Sequence, residues 1–273
     1  MSRERVVLGC LGLVAVLAVA GFVVTWRSDS ARAALAADGA LTVGITFDRP
    51  GVGYRAPDGS FRGFDVEIAR YVGKHLGFDE VTFKEATAAQ RAALLSAGTV
   101  DFVVTDYPMT ADPHQVDFAG PYYVGGQSLL VATANIDITV PAALEGRRLC
   151  SVRGSSAAAA LQAEYAKGAH LVERDTLYAC VDAVRTGGAD AMTGDDLTLA
   201  GQAAQFPAQV KVVPKRFTST PYGIALREGD KSSRRKINDA LRRMIDDGSW
   251  ERAYRNTIGP SGYALPDPPA ILR

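Results

Sequence analysis

The sequence has few of the residues that build metal sites, and it has no excess of charge of either sign. Its three histidines, His75, His114 and His170, are scattered, and none has a histidine or cysteine partner at metal-ligand spacing. Lysine plus arginine equals aspartate plus glutamate at 30 each, so no basic surplus favours nucleic acid. We therefore expect no metal, no cofactor and no nucleic-acid partner.

One long segment near the N-terminus has no charged residue. Residues 6–24 form an apolar run that follows two arginines. About 20 apolar residues suffice to cross a bilayer, and basic residues before such a run predict a cytoplasmic N-terminus and an exported remainder. We favour an uncleaved anchor, with residues 1–40 as anchor and linker. The alternatives are a signal peptide cleaved at Ala31-Arg32-Ala33, which has the small-x-small form of a cleavage site, and a lipid on Cys10.

The other two cysteines, Cys150 and Cys180, are thirty residues apart in the part of the chain that we expect to be exported. Disulfides persist in such oxidising compartments. A disulfide between these cysteines is the simplest interpretation, and the alternative is two buried free thiols.

From residue 41 onward the sequence alternates short β-rich runs with helical patterns, which is typical of an α/β protein. The patterns predict helices over residues 64–76, 88–96, 156–167, 177–186 and 232–246, with another from Glu251. They predict strands over residues 41–47, 81–83, 100–104, 128–132, 148–152, 171–173, 189–192, 210–213 and 222–226. The strand at 128–132 leads into a polar stretch and is a candidate crossover between two lobes.

A set of short motifs carries a family resemblance. Their order and spacing resemble the polar amino-acid family of extracytoplasmic solute-binding proteins, the receptors of ABC importers, over about residues 41–263. Within that family the chain is similar to glutamate-binding receptors of actinobacteria, which have a cysteine pair at the places of Cys150 and Cys180. The motifs are Gly63-Phe64-Asp65, Val100-Asp101-Phe102, Val116-Asp117-Phe118-Ala119-Gly120-Pro121-Tyr122, Gly154-Ser155-Ser156, Ala189-Asp190-Ala191 and Asp247-Gly248-Ser249-Trp250.

The resemblance implies a type II periplasmic-binding-protein fold, in which two βα lobes are joined by two crossover strands and enclose the ligand. It assigns residues 41–131 to the first part of lobe 1, 132–220 to lobe 2, and 221–273 to the return into lobe 1 and a C-terminal tail. Closure of such a cleft expels water and strengthens each polar contact.

In lobe 2 the resemblance assigns two ligand contacts. Ser155 and Ser156 stand between a strand and a helix, where the family holds the ligand carboxylate; alternatively, Ser155 only caps its helix. Asp195 follows Asp190 by five residues, the spacing at which the family places the carboxylate that binds the ligand's α-amino group. Asp196 is the second candidate for that role, and the alternative is a solvated pair of aspartates in a turn.

Lobe 1 departs from the family pattern. The family's loop reads Thr-x-x-Arg, and its arginine binds the ligand carboxylate; here Thr110 is followed by Pro113 at the arginine position. Asp106 and Pro108 replace residues that commonly donate hydrogen bonds to the carboxylate. In this loop Thr110 and Tyr107 keep a familiar identity, so both stay among the candidate ligand residues.

The sequence leaves three explanations open for the altered loop. Arg153 from lobe 2, or Arg49 or Arg91 from lobe 1, could take over the carboxylate. Alternatively, the ligand has no α-carboxylate at that position and Asp106 binds a cation. The third possibility is that small-molecule binding has been lost. Phe47, at the end of the first predicted strand, completes the candidate set.

The sequence thus predicts a monomeric receptor, not an enzyme, that captures a small polar ligand and presents it to an ABC permease or another membrane protein. The alternative is a membrane-anchored sensor or scaffold domain with weak or no amino-acid binding. Because the arginine clamp is altered, we expect L-glutamate, L-glutamine and L-aspartate to bind at roughly 100 μM or more weakly.

Overall fold

The computed structural model describes residues 40–111, 115–153 and 156–272. The predicted membrane anchor and Cys10 lie outside these residues. Within the described ranges, no helix combines the length and the apolar character that a bilayer crossing requires.

The strands form two five-stranded sheets and one small three-stranded sheet. Numbered along the chain, they are β1 (Leu41–Ile45), β2 (Asp48–Arg49), β3 (Gly53–Arg55), β4 (Phe61–Arg62), β5 (Val81–Glu85), β6 (Phe102–Pro108), β7 (Val116–Gly125), β8 (Gln127–Ala132), β9 (Arg148–Val152), β10 (His170–Arg174), β11 (Ala191–Asp195), β12 (Val210–Val212) and β13 (Thr220–Arg227).

The first large sheet has the order β5-β1-β6-β13-β7, and the second has the order β10-β9-β11-β8-β12. We call the part of the chain around the first sheet lobe 1 and the part around the second lobe 2. In each sheet the first three strands in this order run parallel to one another. The fourth strand runs antiparallel to both of its neighbours. The small sheet β2-β3-β4 is an antiparallel meander that follows β1.

Helices cover both large sheets, as the alternating pattern predicted. The α-helices are α1 (Phe64–His75), α2 (Arg91–Ser96), α3 (Ser156–Tyr165), α4 (Leu177–Arg185), α5 (Asp196–Ala203), α6 (Lys231–Asp246) and α7 (Ser249–Thr257). Helices α1, α6 and α7 pack together against lobe 1, and α2 packs on β6 and β13. In lobe 2, α3, α4 and α5 pack on the second sheet. The predicted α/β class is therefore confirmed.

Several details differ from the sequence prediction, among them the start of helix α2 and the position of the first crossing. Helix α2 begins at Arg91 rather than at residue 88, because Thr87 and Gln90 hydrogen-bond to each other in a turn before it (Thr87 Oγ1 to Gln90 Oε1, 2.9 Å). Strand β8 belongs to the second sheet, so the first crossing lies at Gly126 and not after Val131.

The two crossings lie side by side. Thr220 of β13 is opposite Gly125 of β7, and the hydroxyl of Thr218 accepts a hydrogen bond from the backbone N–H of Gln127 at 2.7 Å. The backbone N–H of Phe217 donates to the carbonyl of Gln127 at 3.0 Å. This hydrogen-bonded double strand is the physical link between the lobes.

Lobe 2 contains the predicted disulfide. Cys150 of β9 is bonded to Cys180 of α4, with 5.6 Å between their Cα atoms, so the disulfide prediction is confirmed. The strand that carries Cys150 continues to Ser151 and Val152, and helix α4 starts at Leu177. The bond therefore ties together two elements whose ends line the cleft between the lobes.

The lobes also touch beside the crossings. Helix α5 of lobe 2 passes so close to the loop after β2 that a Cβ atom on Gly201 would collide with the carbonyl oxygen of Pro50. Only glycine permits this approach. All eight residues of α5 are buried, and hydrophobic residues of both lobes belong to one cluster.

Candidate ligand-binding site

A cleft of about 840 Å³ lies between the lobes, a size that suits a small molecule. Its walls come from both large sheets, from strand β2, from the starts of helices α2 to α5 and from Tyr222 on the crossing strand β13. Among the residues that the structure describes, the charged lining residues are Asp48, Asp106, Asp175 and Asp195 against Arg49 and Arg91. Carboxylates thus outnumber guanidinium groups by two.

On the lobe 1 wall, Arg49 and Asp106 are paired with each other. The Arg49 guanidinium donates a hydrogen bond to Asp106 Oδ2 and forms an ion pair with it. The Asp106 side chain is only 10% exposed, and its burial raises its pKa while Arg49 opposes that shift. Asp106 also has a backbone φ of 44°, in the left-handed region where aspartate is one of the better-tolerated side chains. The pair leaves neither side chain with an unopposed charge.

Beneath this pair lies a second carboxyl group, Asp65 of α1. Its two oxygens accept hydrogen bonds from the Tyr122 hydroxyl at 2.8 Å and from the backbone N–H of Asp106 at 3.1 Å. Burial, and then repulsion by Asp106, raise the pKa of Asp65 to about 8. Asp65 therefore fixes the backbone that presents Asp106 to the cleft.

The raised pKa of Asp65 makes the stability of the protein depend on pH. In the unfolded chain this carboxyl titrates near ~3.9, so between about pH 4 and pH 8 the folded state binds one more proton than the unfolded state. The free energy of unfolding should then fall as pH rises through this window, by at most about 1.4 kcal/mol per pH unit. We predict a shallower fall for Asp65→Asn, measured by urea unfolding between about pH 6 and pH 8. Equal slopes in the two proteins would contradict the assignment.

Arg91, the first residue of α2, borders the cleft behind this pair. Its guanidinium carbon lies 3.3 Å from the centroid of the Tyr107 ring. Tyr107 is fully buried and meets the ring of Phe118 edge-on at 4.9 Å. The aromatic ring therefore sets the position of the arginine.

On the lobe 2 wall, Asp195 ends β11 and caps helix α5. Its Oδ1 accepts hydrogen bonds from the backbone N–H groups of Leu197 at 3.1 Å and Thr198 at 3.5 Å, and its Oδ2 accepts one from the hydroxyl of Tyr222. Burial raises the pKa of Asp195, and repulsion by Asp196 and Asp106 adds to the shift. A ligand ammonium at this carboxylate would remove the electrostatic penalty.

Asp196, the second candidate for the ammonium contact, lies outside the cleft lining and is fully buried. It accepts hydrogen bonds from the hydroxyls of Tyr123 at 2.9 Å and Tyr263 at 3.1 Å and from the backbone N–H of Gly126 at 3.2 Å, and Arg216 is 3.5 Å away. These partners come from the crossings and from the C-terminal segment. Asp196 thus holds the junction of the lobes together.

The other predicted site residues are divided between the cleft and its surroundings. Arg49, Arg91, Asp106 and Asp195 line the cleft together. Arg153 is 62% exposed and pairs with Glu173 at 2.8 Å and Asp175 at 3.1 Å, outside the cleft lining. Thr110 is exposed and does not line the cleft, and Phe47 borders smaller cavities of lobe 1. Pro113, Ser155 and the side chain of Ser156 lie outside the described residues.

Sequence reasoning missed several polar residues of the cleft, among them Thr193 and Tyr222. Thr193 precedes Asp195 by two residues on β11, so both side chains project from the same face of the strand, and this period could have revealed it. Tyr222 was assigned only to a strand. Its contact with Asp195 depends on the return crossing, for which no local signal exists.

A charged cleft between two lobes that are joined by a double crossing defines a ligand-binding protein of the two-lobed type. The family model of bacterial extracellular solute-binding proteins, family 3, matches residues 41–260, and the chain belongs to this family.

Named relatives and solved structures agree with this assignment. The chain is 33% identical over 282 residues to the glutamate-binding protein GluB of Corynebacterium glutamicum, covering 97% of this chain and 95% of GluB. It is 31% identical over 222 residues to the ABC transporter glutamine-binding protein GlnH of Bacillus subtilis, covering 80% and 81%. An ancestral amino acid-binding protein, described as a precursor of cyclohexadienyl dehydratase, has a TM-score of 0.65 and 27% identity, covering 81% of this chain and 95% of that one.

Proposed function

We propose that the chain is the extracytoplasmic receptor of an amino-acid-type ABC importer and that it captures a small polar ligand between its lobes. The observation that carries this proposal is Asp195, a half-buried carboxylate that faces an interlobe cleft from a helix N-terminus and suits a ligand ammonium. Its family membership supports delivery of the ligand to a membrane permease.

The receptor acts, in this proposal, as a monomer attached to the membrane by residues 1–40. Lobe 1 consists of the chain up to the crossing at Gly126 and of the chain after Thr220, with lobe 2 between them. This division is supported by the strand order of the two large sheets.

The clamp for the ligand carboxylate is altered, and the ligand carries extra positive charge. Asp106 stands on the lobe 1 wall with Arg49 already paired to it, and carboxylates outnumber guanidinium groups in the lining by two. A cationic amino acid would offset this excess, whereas an acidic one would increase it. The preferred ligand is therefore a cationic amino acid.

Calorimetry and thermal unfolding of the full-length protein in a mild detergent test this proposal. We predict that L-arginine or L-lysine binds at least about tenfold more tightly than L-glutamate and L-aspartate, a difference of about 1.4 kcal/mol. L-Glutamate, L-glutamine and L-aspartate should bind at roughly 100 μM or more weakly. Submicromolar binding of L-glutamate would overturn the assignment of ligand charge.

One observation favours a second function, that of a membrane-anchored sensor or scaffold with weak or no amino-acid binding. The internal pairing of Arg49 with Asp106 leaves lobe 1 with fewer free charges for a ligand. Absence of binding by every amino acid tested would favour this function. We propose no enzymatic activity, and the names of the two curated relatives, which describe binding proteins, support that choice.

A further inference from the structure

Three arginines could replace the missing loop arginine, and their surroundings differ. Arg153 is exposed and paired with Glu173 and Asp175, and Arg49 is paired with Asp106. Arg91, in contrast, makes no hydrogen bond or ion pair to any residue that the structure describes, and its Nε is buried without a partner. A buried donor without an acceptor costs free energy, so this position calls for a partner from outside the chain.

The stacking of Arg91 on Tyr107 leaves its donors available. A guanidinium group presents its N–H donors in the plane of the group, whereas Tyr107 covers one of its faces. Two of the in-plane donors can therefore still form the paired contact that carboxylates prefer. Because Phe118 and burial fix the Tyr107 ring, the guanidinium group of Arg91 is held in place before a ligand arrives.

A side pocket lies next to this arginine. It has a volume of about 70 Å³, more than the roughly 10–15 Å³ that one water needs. Its lining includes Thr46, Arg49, Arg91, Thr105 and Asp106, and three of these residues, Arg49, Arg91 and Asp106, also line the main cleft. The hydroxyl of Thr105 is the second buried polar atom here without a partner among the described residues.

The charges of the side pocket favour a small anion. Arg49 forms the ion pair with Asp106, and Asp48 is exposed to solvent; Arg91 attracts Asp106 without a hydrogen bond or an ion pair to it, so its N–H donors stay open to a carboxylate. A carboxylate placed there would accept hydrogen bonds from Arg91 and from the Thr105 hydroxyl. An ammonium group would be repelled by Arg91.

We infer that Arg91 and Thr105 form the carboxylate subsite of this receptor, in a side pocket of lobe 1 that replaces the loop arginine that the sequence lacks. The inference rests on the proposed function, in which Asp195 holds the ligand's ammonium group. A ligand that reaches both sites contacts both lobes, so its binding favours the closed state.

The test compares L-arginine with agmatine, which is the same molecule without its carboxylate, by calorimetry on the full-length protein. Wild type should bind L-arginine at least about tenfold more tightly than agmatine. Arg91→Gln should weaken L-arginine binding by about tenfold or more and leave agmatine binding within about twofold. The matched control Arg153→Gln removes the same charge outside the cleft and should leave both affinities unchanged.

A second variant, Thr105→Val, keeps the shape of the side chain and removes the unpartnered hydroxyl. It should raise the unfolding temperature of the free protein and weaken binding of L-arginine but not of agmatine. An unchanged preference for L-arginine in Arg91→Gln, or an equal loss for both probes, would overturn the subsite and leave the receptor proposal standing. Wild type that binds neither probe would overturn both.

Discussion

Replacement of Asp195 by asparagine is expected to weaken the binding of L-arginine or L-lysine by roughly 30-fold to several thousand-fold. In the proposed function, Asp195 binds the ligand ammonium from lobe 2, and the pair would be shielded from water once the cleft closes. Removing one partner of a buried charge pair leaves the other charge without compensation. Asparagine caps a helix as well as aspartate does, so helix α5 should keep its start.

Asp175→Asn is the matched control for this substitution. Asp175 also lines the cleft, but its side chain is 85% exposed and pairs with the exposed Arg153. Ion pairs in water contribute little, so we expect affinity within about twofold of wild type. Calorimetry on both variants, with circular dichroism to check folding, separates the two cases. An Asp195→Asn protein that binds as tightly as wild type would remove the central residue of the proposed function.

The parts of the fold that could be predicted are those with local signals. Helix α4 runs over Leu177–Arg185, where residues 177–186 were predicted, because Thr176 caps it and its apolar residues recur on one face. Helix α5 was missed because all of its residues are buried, so the sequence has no polar face to reveal a helical period. The crossing at Gly126 was also misplaced, since β8 has the same apolar character whichever sheet it joins.

In the candidate site, too, some features have a signal in the sequence and others depend on the fold alone. The family resemblance assigned Asp195, through its spacing from Asp190, and this residue lies in the cleft. The pairing of Arg49 with Asp106 could not be predicted, because it joins residues 57 positions apart and depends on the short meander after β1. The stacking of Arg91 on Tyr107 likewise follows from the packing of α2 on β6, which no local pattern encodes.

Loss of the disulfide is expected to cost about 3.6 kcal/mol of stability. A cross-link between Cys150 and Cys180 closes a loop of about thirty residues, and the chain-entropy relation gives this value for a loop of that length. For a protein of this size the loss corresponds to a fall of roughly 10 °C in unfolding temperature. Both cysteines are fully buried, so the double variant Cys150→Ala/Cys180→Ala is preferable to serine, which would bury two new hydroxyl groups.

The same bond holds the cleft wall of lobe 2 in place, because Ser151 and Val152 follow Cys150 directly and Leu177 starts the helix that carries Cys180. We therefore expect the double alanine variant to bind its ligand more weakly as well, since part of the binding free energy would be used to order that wall. Urea unfolding of the variant, compared with wild type before and after reduction, measures the loss. Reduced wild type should approach the variant in stability. A variant as stable as oxidised wild type, within about 1 kcal/mol, would show that the cross-link does not stabilise lobe 2 through the entropy of its unfolded chain.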